Sequence, residues 1–279
     1  MTGKVYAPIP PQPPPARLAT RMNRERMLGI VVLVLMVLLG VGIAWFLYSS
    51  WDLEFVEKYG PKYLAGLWIT LKLVSISIVL GAMLSLPVAL GRMSSSRAVK
   101  PIAFAYVYFF RGTPLLAQIF LVYYGAGVFV AELKSIGLWI FFRDPWNCAV
   151  FTFALNTAAY QAEILRGAIQ SVAKGQWEAS EALGLKRIQA FRKIILPQAL
   201  IVALRPYGNE IILMIKGSAI VAIITVLDLM GETRRAFSRT YDFQTYIWAA
   251  IFYLIMVEAL RIGWDRLERR LTRHLKRED

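Results

Sequence analysis

The sequence holds a single cysteine, Cys148, and a single histidine, His274, in 279 residues. One cysteine forms no internal disulfide, and the two residues together cannot make the Cys/His cluster of a structural metal site. The phosphate loop GxxxxGK[ST], the nucleophile elbow GxSxG and the zinc helix HExxH are also missing. Their absence argues against an NTPase or a common hydrolase on this chain, and no metal or catalytic residue is assigned. Charge is scarce too: 18% of residues are charged, against about 25% in soluble domains.

What the sequence has in excess is apolar surface. Hydrophobic residues make up 57% of it and its mean hydropathy is +0.51, more than a water-facing fold can hide. A bilayer core about 30 Å thick takes roughly 20 apolar residues per helical span. The clearest run, residues 28–48, has no charge at all. It is too long for the apolar region of a cleavable signal and no small-x-small site follows it, so it reads as an uncleaved anchor. Spans are predicted at 28–48, 63–91, 113–131, 148–169, 199–227 and 245–264. This is an all-α polytopic membrane bundle of six predicted transmembrane helices. The aromatic stretch 102–111 either extends the third span or lies along the interface.

Lys and Arg collect on the cytoplasmic side of a membrane protein. With the N-terminus inside, the cytoplasmic segments carry 22 of them and the opposite loops 7, so both termini are expected in the cytoplasm. The net charge of +14 is thereby explained by topology and membrane lipid headgroups, and nucleic acid is not needed as a partner. Residues 1–27, with Pro8, Pro10, Pro11, Pro13, Pro14 and Pro15, form a proline-rich cytoplasmic tail, extended because proline blocks helix. Residues 265–279 form a basic tail at the other end.

Between the fourth and fifth spans the chain runs QWEASEALGLKRIQAFRKIILP over residues 176–197. Glu178, Ala179, Ala182 and Leu183 give a short helix a small, partly apolar face, and Gly184 permits a tight exit. Such a helix suits a groove in another protein, although the residues alone also allow a plain connecting loop. The pattern Glu178-Ala179-Ser180, three residues, Gly184, then Ile194 and Leu196-Pro197, resembles the EAA loop of bacterial ABC-importer permeases, with Ser180 for the usual second alanine. Phe110-Arg111-Gly112-Thr113-Pro114-Leu115 with Gln118 resembles a segment of polar amino-acid permeases. So do residues 156–164 with Arg166-Gly167, and Tyr207-Gly208-Asn209-Glu210 narrows the likeness to the histidine, lysine, arginine, ornithine and opine subgroup.

The resemblance covers about residues 63–270. It implies a type I importer permease core at 63–264 with a coupling loop at 174–197, preceded by an extra helix at 28–48. It also implies a bacterial inner-membrane location and three partners: an ABC ATPase dimer carrying ATP and Mg, a second permease chain, either a paralogue or an identical copy, and a soluble substrate-binding protein. No cofactor is expected on this chain itself.

The polar residues within spans are the candidates for a path, because intramembrane charge is costly and tends to face protein or water. Asn156, Tyr160 and Glu163 share one helical stripe at spacings of four and three. Asn209 and Lys216 are seven apart, Glu210 is adjacent, and Pro206 and Gly217-Ser218 can open the helix so that backbone reaches a ligand. The competing reading keeps Glu210 and Lys216 as structural partners and pairs Glu163 with Arg166. Glu258 with Arg261 is read as structural. A secondary transporter working without an ATPase is the alternative function, but such proteins usually show internal repeats and none is evident between the halves.

Overall fold

The computed structural model describes residues 24–273. His274 and most of the proline-rich tail lie outside the described residues, as does the end of the basic tail. The chain forms two units, divided after Trp51. The first contributes one helix, α1 (Arg24–Ser49), built from the charge-free run and evenly apolar around its circumference, with no buried residue.

In the second unit α2 (Leu53–Met93) starts where the Asp52 side chain accepts a hydrogen bond from the backbone of Glu54, satisfying an orphan N–H of the first turn. It begins ten residues before the predicted span and carries Pro61 and Pro87 inside it. At 41 residues it is about 60 Å long at 1.5 Å per residue, so its polar first turns stand clear of the hydrocarbon. Then come α3 (Val99–Gly112), α4 (Leu115–Val128) and the short α5 (Val130–Ser135) and α6 (Trp139–Phe142). The predicted single span at 113–131 is not what forms: α3 and α4 meet at a 104° bend. The cause is Pro114, whose ring disfavours helical backbone in the residue before it; Thr113 is extended at φ −112° and ψ 148°.

Asp144 caps α7 (Pro145–Ser171), and Pro145 sits in its first turn, where a missing N–H costs nothing. The α8 helix (Lys174–Ala182) follows, then the one-turn α9 (Arg187–Ala190), a wide π turn over Phe191–Ile195 and α10 (Leu196–Ser218). Pro206 leaves α10 unbroken. The change comes after Ser218, with a tighter 3₁₀ stretch at Ala219–Ile224 ending on Thr225 at φ 70°. The bundle closes with α11 (Leu229–Thr240) and α12 (Gln244–Leu271). Among the described residues, α1, α2, the helix running from 187 to 224 and α12 are long and apolar enough to cross a membrane, with the bent α3–α4 pair a fifth candidate. By that measure six spans are not reached. The helix at the fourth predicted position, α7, has spanning length but is too polar to qualify.

That helix is the axis of the second unit. Ala149, Phe153, Ala158, Ala159 and Ala162 are all buried on it. Small residues let helices approach in a bilayer, where lipid tails remove the hydrophobic drive and contact must supply the attraction. A second close approach fixes α2 against the start of α11. A Cβ added at Gly66 would lie 2.8 Å from the Asp228 carbonyl oxygen and 3.0 Å from Leu229 Cα. Beside it, Thr70 Oγ1 accepts from the Leu229 backbone at 3.1 Å, and Asp228 caps α11 through Gly231 at 2.8 Å. Gly66→Ala is therefore expected to cost about 1–3 kcal/mol, since backbone has to move. Gly263→Ala, with open space around it, should be neutral or stabilising by up to about 1 kcal/mol. Thermal unfolding in detergent checks the pair.

Candidate functional site

Two groups of residues stand out, one inside the bundle and one at its end. The first is a polar chain running across α2, α7 and α10. The Gln161 amide donates to the Ile78 carbonyl at 3.2 Å and to Thr157 Oγ1 at 3.0 Å. Thr157 donates in turn to the buried Glu210 carboxylate at 2.9 Å, and the Tyr207 hydroxyl donates to Gln161 Oε1. Asn156 is 6% exposed; its amide donates to the Phe110 carbonyl at 3.1 Å and to Gln118 Oε1 at 2.9 Å. Gln118 donates to the carbonyls of Phe110 and Thr113. These two amides thus occupy carbonyls that the bend between α3 and α4 frees from helical bonding.

Farther along α7 toward its C-terminus lies a charge cluster. Glu163 receives a forked contact from Arg166, the nearest at 2.7 Å, a hydrogen bond from Arg92 Nε at 3.0 Å and a looser approach from Arg111 Nη1 at 3.8 Å. Arg111 also lies over the Tyr160 ring, 5.2 Å from its centroid, and Arg92 over Phe104 at 4.8 Å. One carboxylate that is 12% exposed thus holds three guanidinium groups from three parts of the chain. Two positive charges are left over, which favours an anionic group arriving beside Arg111, the most exposed of the three.

The sequence placed Asn156, Tyr160 and Glu163 on one stripe, and the structure aligns them along α7 facing the α3–α4 bend and the end of α2. The α10 residues divide. Glu210 and Ser218 are buried, Ser218 donating to the Ile215 carbonyl, whereas Asn209 and Lys216 are exposed on another face. Arg111, Gly112, Thr113 and Pro114 form the bend itself. Sequence reasoning missed Arg92, Thr157 and Tyr207 as members of this site. Arg92 counted only as a topological charge after the second span, and its partner stands 71 positions away, beyond any periodic pattern.

The second group is α8 and its exit. Glu178, Ala179, Ala182 and Leu183 are exposed, Leu183 by 77%. Ser180 is buried and ties its hydroxyl to the Gln176 carbonyl at 2.6 Å. Gly184 turns the chain at φ 69°, a left-handed conformation that glycine adopts without cost. Its N–H and that of Leu185 close the helix onto Glu181 and Ser180 carbonyls, a pattern common at helix C-termini. Leu196 and Pro197 open α10.

Residues 66–277 match the family model described as binding-protein-dependent transport system inner membrane component; α1 precedes the matched region. The nopaline transport system permease protein of Agrobacterium fabrum is 44% identical over 206 residues, 74% of this chain and 86% of that protein. The histidine/lysine/arginine/ornithine transport system permease protein of Escherichia coli is 40% identical, covering 76% of this chain and 89% of that one. Among solved structures, a chain of an amino acid ABC transporter crystallised with histidines superposes with a TM-score of 0.70 at 37% identity, covering 79% of this chain and 99% of the other.

Removing a paired charge leaves its partners uncompensated. Glu163→Gln should therefore cost about 1–3 kcal/mol, less than for a fully buried pair because Arg166 and Arg111 keep contact with solvent. Adding Arg92→Gln should return part of that loss. Unfolding of the two single variants and the double variant checks the coupling, and additive losses would show that the pair is not coupled.

Proposed function

The chain belongs to the family of binding-protein-dependent transport system inner membrane components, and from that premise we propose how it serves as the permease subunit of an ATP-driven amino-acid or opine importer. It is a multi-pass inner-membrane protein, not an enzyme, and ATP is hydrolysed on a separate subunit. The reading rests on one observation above the others: a short helix, α8, stands between two bundle helices with Glu178, Ala179, Ala182 and Leu183 outward. Its exit is a glycine turn that no larger residue takes without strain.

The ATPase dimer, holding ATP and Mg, grips this face. Closure of the dimer pushes α8, and the push passes through the continuous helix that starts at Arg187 and becomes α10. Both termini lie in the cytoplasm, on the same side as α8. A substrate-binding protein delivers the ligand to the opposite end. A second permease chain, paralogue or copy, supplies the other half of the path.

The ligand is a polar, basic amino acid or an opine. Its carboxylate meets the unbalanced guanidinium of Arg111. Tyr160 and Glu163 define the wall behind it, with Asn156 and the buried Glu210 farther along. Ser218 marks the point where helix gives way to 3₁₀ backbone. Asn209 and Lys216, exposed on the other face of α10, take part through the second permease chain.

Gly184→Arg is expected to leave the protein inserted but to abolish co-purification of the ATPase in mild detergent and to reduce uptake at least tenfold, because the turn is strained and the docking face shifts. Full ATPase association and uptake in this variant would remove the case for the loop. Transport by this chain alone in liposomes, driven only by an ion gradient, would favour a secondary transporter instead.

A further inference from the structure

A groove of about 620 Å³ runs between the last turns of α2 and the start of the α9–α10 helix. Its inner wall is apolar: Leu86 and Leu90, one turn apart on α2, and Leu196 at the start of α10. Leu86 and Leu90 are 41% and 44% exposed. At its mouth stand Arg187, Arg192 and Trp177. Neither guanidinium has a hydrogen bond or ion pair among the described residues. Arg187 also borders a neighbouring cleft lined by Glu178 and Glu181, yet it pairs with neither.

The level of this groove in the membrane follows from the helices that form it. It takes in Met93, the last residue of α2, Ile169 near the end of α7 and Leu196 at the start of α10, so it sits where hydrocarbon gives way to water. Its basic side is unbalanced along the chain as well. Lys186, Arg187, Arg192 and Lys193 fall within eight residues, and no Asp or Glu occurs from 182 to 209. Four cations next to a membrane helix form a recognition surface for anionic lipid headgroups, and a tryptophan at the same level suits the headgroup region. The π turn at Phe191–Ile195 lies in this wall, and such turns recur at functional sites.

We propose that this groove binds one anionic phospholipid of the inner leaflet, with an acyl chain along Leu86, Leu90 and Leu196 and the headgroup phosphate between Arg187 and Arg192. The lipid would then touch the helix that links α8 to α10, so its occupancy bears on how firmly that link is held. The proposal needs no assignment of the transported ligand.

The test uses the assembled importer in mild detergent, incubated with phosphatidylglycerol or phosphatidylcholine of identical chains, with bound lipid counted by native mass spectrometry. Wild type should retain phosphatidylglycerol about 25-fold over phosphatidylcholine, about fivefold per guanidinium, and Arg187→Gln with Arg192→Gln should lose most of that preference. Leu90→Trp, which fills the groove, should reduce retention of both lipids. Equal retention of the two lipids, an unchanged double variant, or release of phosphatidylglycerol by millimolar inorganic phosphate would overturn the proposal. Should the arginine variant fail to assemble, brominated phosphatidylglycerol should quench Trp177 fluorescence in the native complex, read as the difference from Trp177→Phe. Quenching no greater than that by brominated phosphatidylcholine would equally overturn it.

Discussion

Everything in the second unit depends on α7 coming close to α2. Within a bilayer apolar side chains gain nothing by leaving lipid for one another, so association relies on dispersion contacts and hydrogen bonds. Alanines along α7 supply the first by letting backbones approach, and the Gln161 amide, reaching the Ile78 carbonyl of α2, supplies the second. A helix with so many polar residues is a poor lipid-facing span. It is stable because its neighbours, α2, α3, α4 and α10, surround it and satisfy what it carries.

The same packing places the proposed path. Because α7 is central, the polar groups along it face other helices, and the guanidiniums that end α2 and α3 meet on Glu163. In the proposed path, stability and transport therefore compete for the same side chains. A carboxylate that holds three arginines is an anchor for the bundle, and the charge it fails to neutralise is what the proposed ligand carboxylate would use. Assigning Glu163 to structure or to substrate is then a matter of which charge is meant, the paired one or the surplus.

Much of this was legible in the residues. The charge-free run became α1, and the short helix expected around residues 178–183 formed as α8 with Gly184 in a left-handed turn, as a glycine after a short helix suggests. The stripe from Asn156 to Glu163 needed only helical periodicity. Other features were hidden. Polar first turns and Pro61 concealed the true start of α2, while Asp144-Pro145 announced the start of α7 in a loop read as external. The bend at Thr113 followed from Pro114 yet was masked by apolar residues on both sides. Long-range partners such as Arg92 carry no local signal, and a stripe on α10 cannot by itself tell buried Glu210 from exposed Lys216.

The bend between α3 and α4 carries a mechanical consequence. Broken helices often serve as joints, since their unpaired carbonyls are free to exchange partners. Here Gln118 and Asn156 already occupy those of Phe110 and Thr113, so flexing the elbow would strip buried acceptors of their donors. It acts as a welded bracket: α3 and α4 ride with α7 as one body, and compliance during a transport cycle has to come from elsewhere in the bundle.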